Sequence, residues 1–246
     1  MAFHRPHHRQ IERILESLNK TYFQDKGLMF GGGTRIALDI DEFRVSTDID
    51  IVCPTSESYR AVRENVNSVS LGKLLTRDLS LPRGVQIGRD AVRTVVEIDN
   101  SFIQLEFIRF EGFEFKCELE QDLFPVPYIN RESCYYSKLL ANANRYTHPS
   151  KKDILDILAM TTSWGDIPAG AIKGAEAMYG ERAILPNLRN ALHQIIADKE
   201  AFNIAASDCG IEKGWREKLF LQAQRLQKKL TPEQRPITLL SPGMGG

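Results

Sequence analysis

Strand-like patterning is confined to the first half of the chain, and this asymmetry constrains the fold most. Apolar and polar residues alternate in "STDIDIVC", Ser46 to Cys53. The same period returns in "AVRTVVEIDNSFIQLEFIRFEG", residues 91–112, as two strands around Asp99-Asn100. An Asp-Asn pair between two such runs suits a tight hairpin turn, because both residues tolerate the left-handed backbone it needs. Leu28–Phe30 reads as a short strand before three glycines, and "FEFKCEL", residues 113–119, as a last one. Helical spacing predicts an amphipathic helix through Ile11, Ile14, Leu15, Leu18 and Tyr22, another over Thr34–Asp39, and a third over about 57–76. After the proline-rich "LFPVPY" strand signals nearly vanish. "SKLLANANR", "KKDILDILAM", "ILPNLRNALHQIIADKEAF" and "WREKLFLQAQRLQKKL" all carry apolar residues at helical spacing. The expected class is α+β: a mixed sheet flanked by helices over residues 1–127, then a helical domain over 128–246.

Charge narrows the function. The 246 residues hold 32 basic and 32 acidic side chains. A balanced chain of this kind is poorly suited to non-specific nucleic-acid binding as its main work. Local excess remains: residues 131–152 carry five basic side chains against one acid, and residues 60–93 seven against three. Either stretch can track an RNA backbone, although such runs more often form a solvated face. No apolar run approaches the roughly 18 residues that span a membrane, and "MAFHRPHHRQIERI" lacks the apolar centre of a signal peptide. Cys53, Cys117, Cys134 and Cys209 are scattered and match no metal spacing, so reduced thiols and a cytoplasmic setting are expected. His4, His7 and His8 read as solvated, Trp164 and Trp215 as packing, and the final "SPGMGG" as a disordered tail.

The chemistry concentrates in "LMFGGGTRIALDIDEFRVSTDIDIVC", residues 28–53. On a strand, Asp48 and Asp50 point to the same face. Two adjacent carboxylates repel, and both stay ionised only with a cation between them. Hard divalent ions such as Mg²⁺ or Mn²⁺ take oxygen ligands and bridge to substrate phosphates. Gly31, Gly32 and Gly33 precede a helix start, where free backbone N–H groups favour an anion; Gly32, Gly33 and the Thr34 hydroxyl form a candidate phosphate cradle. A third carboxylate is expected. Glu106 in "FIQLEFIRF" is the leading candidate, with Glu97 and Asp99 on the preceding strand as competitors.

These features resemble the signature of the DNA polymerase beta-like nucleotidyltransferase superfamily: a glycine pair, a spacer, then Asp-x-Asp. "KLLANANRYTHPSKKDILDILAM", residues 138–160, is similar to the second signature of AbiEii-type nucleotidyltransferases, the toxins of abortive-infection toxin–antitoxin systems. In this chain that signature falls on Lys138, Arg145, Lys152-Asp153 and Asp156, with Asn144 where the family carries an acid. The resemblance spans residues 28–160. It implies a nucleotidyltransferase fold with metal on Asp48, Asp50 and Glu106, and a nucleotide held by the glycines, Thr34, Lys138 and Arg145. Lys138 and Arg145 lie two helical turns apart and share a face, and so do Asp153 and Asp156. The acids would orient the cations or touch the nucleotide directly. The implied reaction is NMP transfer from an NTP to an RNA, with the tRNA 3′ end as acceptor, and a cognate antitoxin as partner. A protein or small-molecule hydroxyl as acceptor, or a nucleotide-binding module without turnover, are the alternatives.

Overall fold

The computed structural model describes residues 3–119 and 121–231; the "SPGMGG" tail lies outside the described residues. Helix α1, Pro6–Ser17, buries Ile11, Ile14 and Leu15. It does not run on to Tyr22 as the spacing predicts. Asn19 is extended, and its side chain accepts a hydrogen bond from the Tyr22 backbone N–H (3.0 Å), which opens a separate helix, α2, at Lys20–Lys26.

Five strands follow: β1 (Met29–Gly31), β2 (Asp48–Cys53), β3 (Val85–Ile87), β4 (Ala91–Ile98) and β5 (Ser101–Arg109). Their order in the sheet is β1-β2-β5-β4-β3. Among the described strands the β2–β5 pair is parallel and the other three pairs are antiparallel, so the sheet is mixed. Asp99 and Asn100 make the β4–β5 turn with φ of 49° and 60°, the left-handed pair expected there.

Helix α3 (Gly32–Asp39) leaves the sheet directly after β1, and α4 (Ser56–Asn65) follows β2. The helix predicted over about 57–76 stops at Asn65. Beyond it, Asn67 and Ser70 side chains accept from the Val69 and Gly72 backbone N–H groups, and these local bonds outcompete the helical ladder. Among the described residues "FEFKCEL" forms no regular strand either; it meets residues 128–130 through an isolated bridge, Cys117 to Ile129. Its Phe113 instead stacks on Tyr136 at 3.5 Å between ring centres, and Phe115 packs edge-on against both.

The rest is helical: α5 (Arg131–Arg145), α6 (Lys152–Ser163), α7 (Ala169–Tyr179), α8 (Glu181–Ala197), α9 (Lys199–Asp208) and α10 (Lys213–Leu230). Asp198 caps α9 by accepting from the Ala201 N–H, which divides one predicted helix into two. No described helix is long and apolar enough to cross a membrane.

The two sheet faces have different fates. Ile49, Ile51, Leu105 and Phe107 pack with α1, α2 and α4. Alternation therefore turns Asp48, Asp50, Gln104 and Glu106 to the opposite face. On that side Ile36, Ala37 and Phe43 join one apolar core with α5 to α10. The carboxylates sit where the sheet meets the helical half.

Candidate active site

A cleft of about 730 Å³ opens between β2 and β5 on one side and α5 and α6 on the other. Asp48, Asp50 and Glu106 line it from the sheet; Lys138, Arg145 and Asp153 line it from the helices. Register places Asp50 beside Gly31 on β1 and Glu106 on β5. Burial pushes the Asp50 carboxyl up to about 7; Asp48 and Glu106 add to the effect, and Lys138 opposes it. A carboxylate that resists ionisation in the absence of a cation gains most from one.

The glycines are required sterically. Gly32 has φ of +69°, and a Cβ there would lie 2.0 Å from the Asp50 Oδ2 atom. A Cβ on Gly33 would lie 2.3 Å from an Arg44 guanidinium nitrogen and 3.4 Å from Lys138 Nζ. Gly33 lines the cleft. Thr34, whose hydroxyl was expected in the phosphate cradle, is fully buried instead. Its hydroxyl is spent on Asp48, at both the backbone carbonyl and Oδ1 (3.1 Å to the latter), and on Ser46 Oγ (2.7 Å). Thr34 therefore holds Asp48 in place rather than facing solvent.

A chain of alternating charge lines the cleft. Arg44 grips Asp156 with two nitrogens, 2.6 and 3.0 Å. Asp156 also meets Lys138 Nζ at 2.7 Å, and Lys138 reaches Asp153 Oδ1 at 3.0 Å. Asp153 takes two further bonds from Arg145, each 3.0 Å. Three cations thus share two carboxylates. Asp156 is completely buried and Lys138 nearly so. Burial opposes the charge on both. Arg44 and Lys138 nonetheless hold the Asp156 carboxyl below its ordinary range, and Asp156 and Asp153 keep Lys138 above its own. Only Arg145 is well exposed, its side chain at 59%.

Glu106 is occupied: Arg93 donates to it at 3.1 Å and the Gln104 amide to its other oxygen. Of its competitors, Glu97 pairs with Phe102, four residues before Glu106 on β5, and Asp99 sits in the turn against Arg13. Among the described residues no three His, Cys, Asp or Glu side chains gather into a metal-holding group. Two carboxylates still fit an ion of the Mg²⁺ type. Such ions keep several waters and take one or two protein carboxylates with substrate phosphates.

Sequence patterning missed Arg44 and Ser46, which lie in an irregular segment without periodicity. It also misjudged His8, expected in solvent and found fully buried. Arg35, the other basic residue near the glycines, is turned away, paired with Asp39 at 2.7 Å and stacked near Trp164.

The same overall fold occurs in solved structures of other proteins. Two solved structures from Helicobacter pylori share it: JHP933 (12% identity, TM-score 0.51, 91% of each chain) and a candidate nucleotidyltransferase (12% identity, TM-score 0.52, 91% of this chain and 94% of that one). The model of the AbiEii family, nucleotidyl transferase toxins of type IV toxin–antitoxin systems, matches residues 13–221, and the chain belongs to that family. No curated protein matches the chain.

Proposed function

We propose that the protein transfers NMP from an NTP to an RNA 3′ hydroxyl, with the tRNA end as acceptor, in a divalent-cation-dependent reaction at the β2–α5 cleft. The observation that carries this reading is the opposition of charge. Asp48 and Asp50 line one wall; Arg44, Lys138 and Arg145, pre-oriented by Asp153 and Asp156, line the other. A nucleoside triphosphate brings about four negative charges, more than a carboxylate-bound cation covers alone. Lys138 and Arg145 suit the leaving pyrophosphate, and fixed partners mean little reorganisation at the moment of reaction. Asp48 and Asp50 are the residues that would hold a divalent cation, which when bound would supply charge neutralisation for the triphosphate. Thr34 fixes Asp48, and Gly32 leaves room for Asp50. Either carboxylate is placed to accept the proton of an acceptor hydroxyl. Glu106 lines the same cleft, with one oxygen bonded to Arg93 and the other to Gln104, and each oxygen keeps a lone pair with which it could join them.

Family membership implies an NTP substrate and a partner antitoxin. The RNA acceptor is supported by the basic rim of the same cleft, where Arg145, Lys151 and Lys152 stand beside Tyr146 and Tyr179. The test is incubation of the protein with each α-labelled NTP, Mg²⁺ and total cellular RNA and protein. Label is expected in tRNA. Label in protein moves the acceptor to another class, and label nowhere, with the fold intact, removes the activity.

A further inference from the structure

His8 lies on α1, outside both sequence signatures, yet it is wired to the cleft. The ring is fully buried. Its Nε2 lies 3.1 Å from the Ser46 backbone N–H, and its Nδ1 lies 2.7 Å from Glu42 Oε1. A backbone N–H can only donate, so Nε2 must accept and the proton sits on Nδ1, donated to Glu42. Burial pushes this imidazole below its ordinary range, which suits the neutral form the two bonds require.

Glu42 is itself tied down. Its carboxylate also accepts from the His4 N–H at 2.6 Å and the Arg5 N–H at 3.0 Å, at the start of α1. Asp41 and Glu42 have φ of 47° and 51°, two successive non-glycine residues in the left-handed region. Such a backbone persists where surrounding bonds over-determine it, and it clusters at functional sites. On the other side, Ser46 Oγ joins Thr34 (2.7 Å) and Arg44 Nη1 (3.0 Å), and Thr34 in turn holds Asp48. Val45 N–H donates to the Cys209 carbonyl at 2.9 Å, closing the segment from behind.

We propose that His8 and Glu42 are positioning residues of the nucleotidyl-transfer site: through Ser46 they set the 44–48 segment, and so the placement of Arg44 and Asp48. The inference rests on the function proposed above. The pair touches neither substrate nor cation. Its loss displaces Asp48 while Lys138 and Arg145, held by α6, keep their partners. The rate constant should therefore suffer more than NTP affinity.

The test compares His8→Leu with His8→Gln, whose side-chain oxygen can still accept from Ser46 and whose amide can still donate to Glu42. His8→Leu is expected to lower kcat at least 10-fold with KM for the NTP changed less than 3-fold. His8→Gln should recover most of the loss. Amide hydrogen exchange is read in parallel: residues 44–48 should exchange at least 10-fold faster in His8→Leu but not in His8→Gln, with β5 unchanged. Should His8→Leu fail to fold, Glu42→Gln carries the same two readouts, since its amide nitrogen meets the His4 or Arg5 N–H. An active wild type with full kcat in His8→Leu overturns the proposal, as does equal loss in both His8 variants. An inactive wild type sinks the function reading instead; the exchange result alone then decides the dyad, and unchanged exchange at 44–48 rejects it.

Discussion

Asp50→Asn is expected to stabilise the protein free of divalent ions while abolishing transfer. The carboxyl is pushed from an ordinary 3.8 up to about 7, first by burial, then by Asp48 and Glu106, with Lys138 acting the other way. Between those two values the folded chain keeps a proton that the unfolded chain has lost. Stability therefore falls as pH rises across that window, and the full penalty applies above pH 7. At about 1.4 kcal/mol per pH unit the ceiling is about 4 kcal/mol. The carboxyl faces a cleft open to water, so about half, roughly 2 kcal/mol, is the expected share. Asparagine has the same shape and no charge to desolvate. For a chain of this size the gain corresponds to a Tm higher by about 4–8 °C. The assay is thermal unfolding by circular dichroism in a chelator at pH 4.5 and pH 8. The gap between variant and wild type should be small at the lower pH and full at the higher one. Added Mg²⁺ should raise the wild-type Tm at pH 8 and leave the variant nearly unmoved. A variant no more stable than wild type at pH 8, or a gap independent of pH, would refute the reasoning.

Three further outcomes follow from the charge chain and the glycines. Lys138→Ala should cut kcat/KM for the NTP at least 10-fold, and Lys138→Arg should restore only part of it, because a planar fork does not replace a point charge between two carboxylates; steady-state kinetics with full Arg rescue would contradict this. Asp156→Asn leaves buried Arg44 and Lys138 short of a partner and should cost about 3–5 kcal/mol in urea unfolding, so a loss below about 1 kcal/mol would mean the network contributes little. Gly33→Ala drives a Cβ against an Arg44 guanidinium pinned to Asp156; a lower Tm and lost transfer are expected, and an unchanged Tm would show that Arg44 gives way freely.

Much of this was legible in sequence because the signals are periodic or local. Alternation in "STDIDIVC" put both aspartates on one face, and the Asp99-Asn100 pair marked the hairpin. Seven-residue spacing put Lys138 and Arg145 on one helix face. What sequence could not carry was tertiary. Arg44 and Ser46 sit in an irregular segment whose meaning depends on α6 and α1, more than a hundred residues apart in the chain for the Arg44–Asp156 pair. Thr34 reads from sequence as part of a phosphate cradle, because nothing local says that Ser46 and Asp48 will enclose its hydroxyl. Phe113 and Phe115 fit a strand by alternation, yet packing against Tyr136 outweighed that preference. His8 was misjudged for the same reason: Glu42 is invisible as its partner until the chain folds.

The central claim is best tested by following the two ends of the triphosphate separately. Wild type and Asp48→Asn are each incubated with Mg²⁺, RNA and NTP labelled at either the α- or the γ-phosphate. The account predicts that wild type moves the α-label into RNA, releases the γ-label as pyrophosphate, and that Asp48→Asn, folded to the same circular-dichroism spectrum, does neither. Transfer of the γ-label to the acceptor, or undiminished α-transfer by Asp48→Asn, would contradict it.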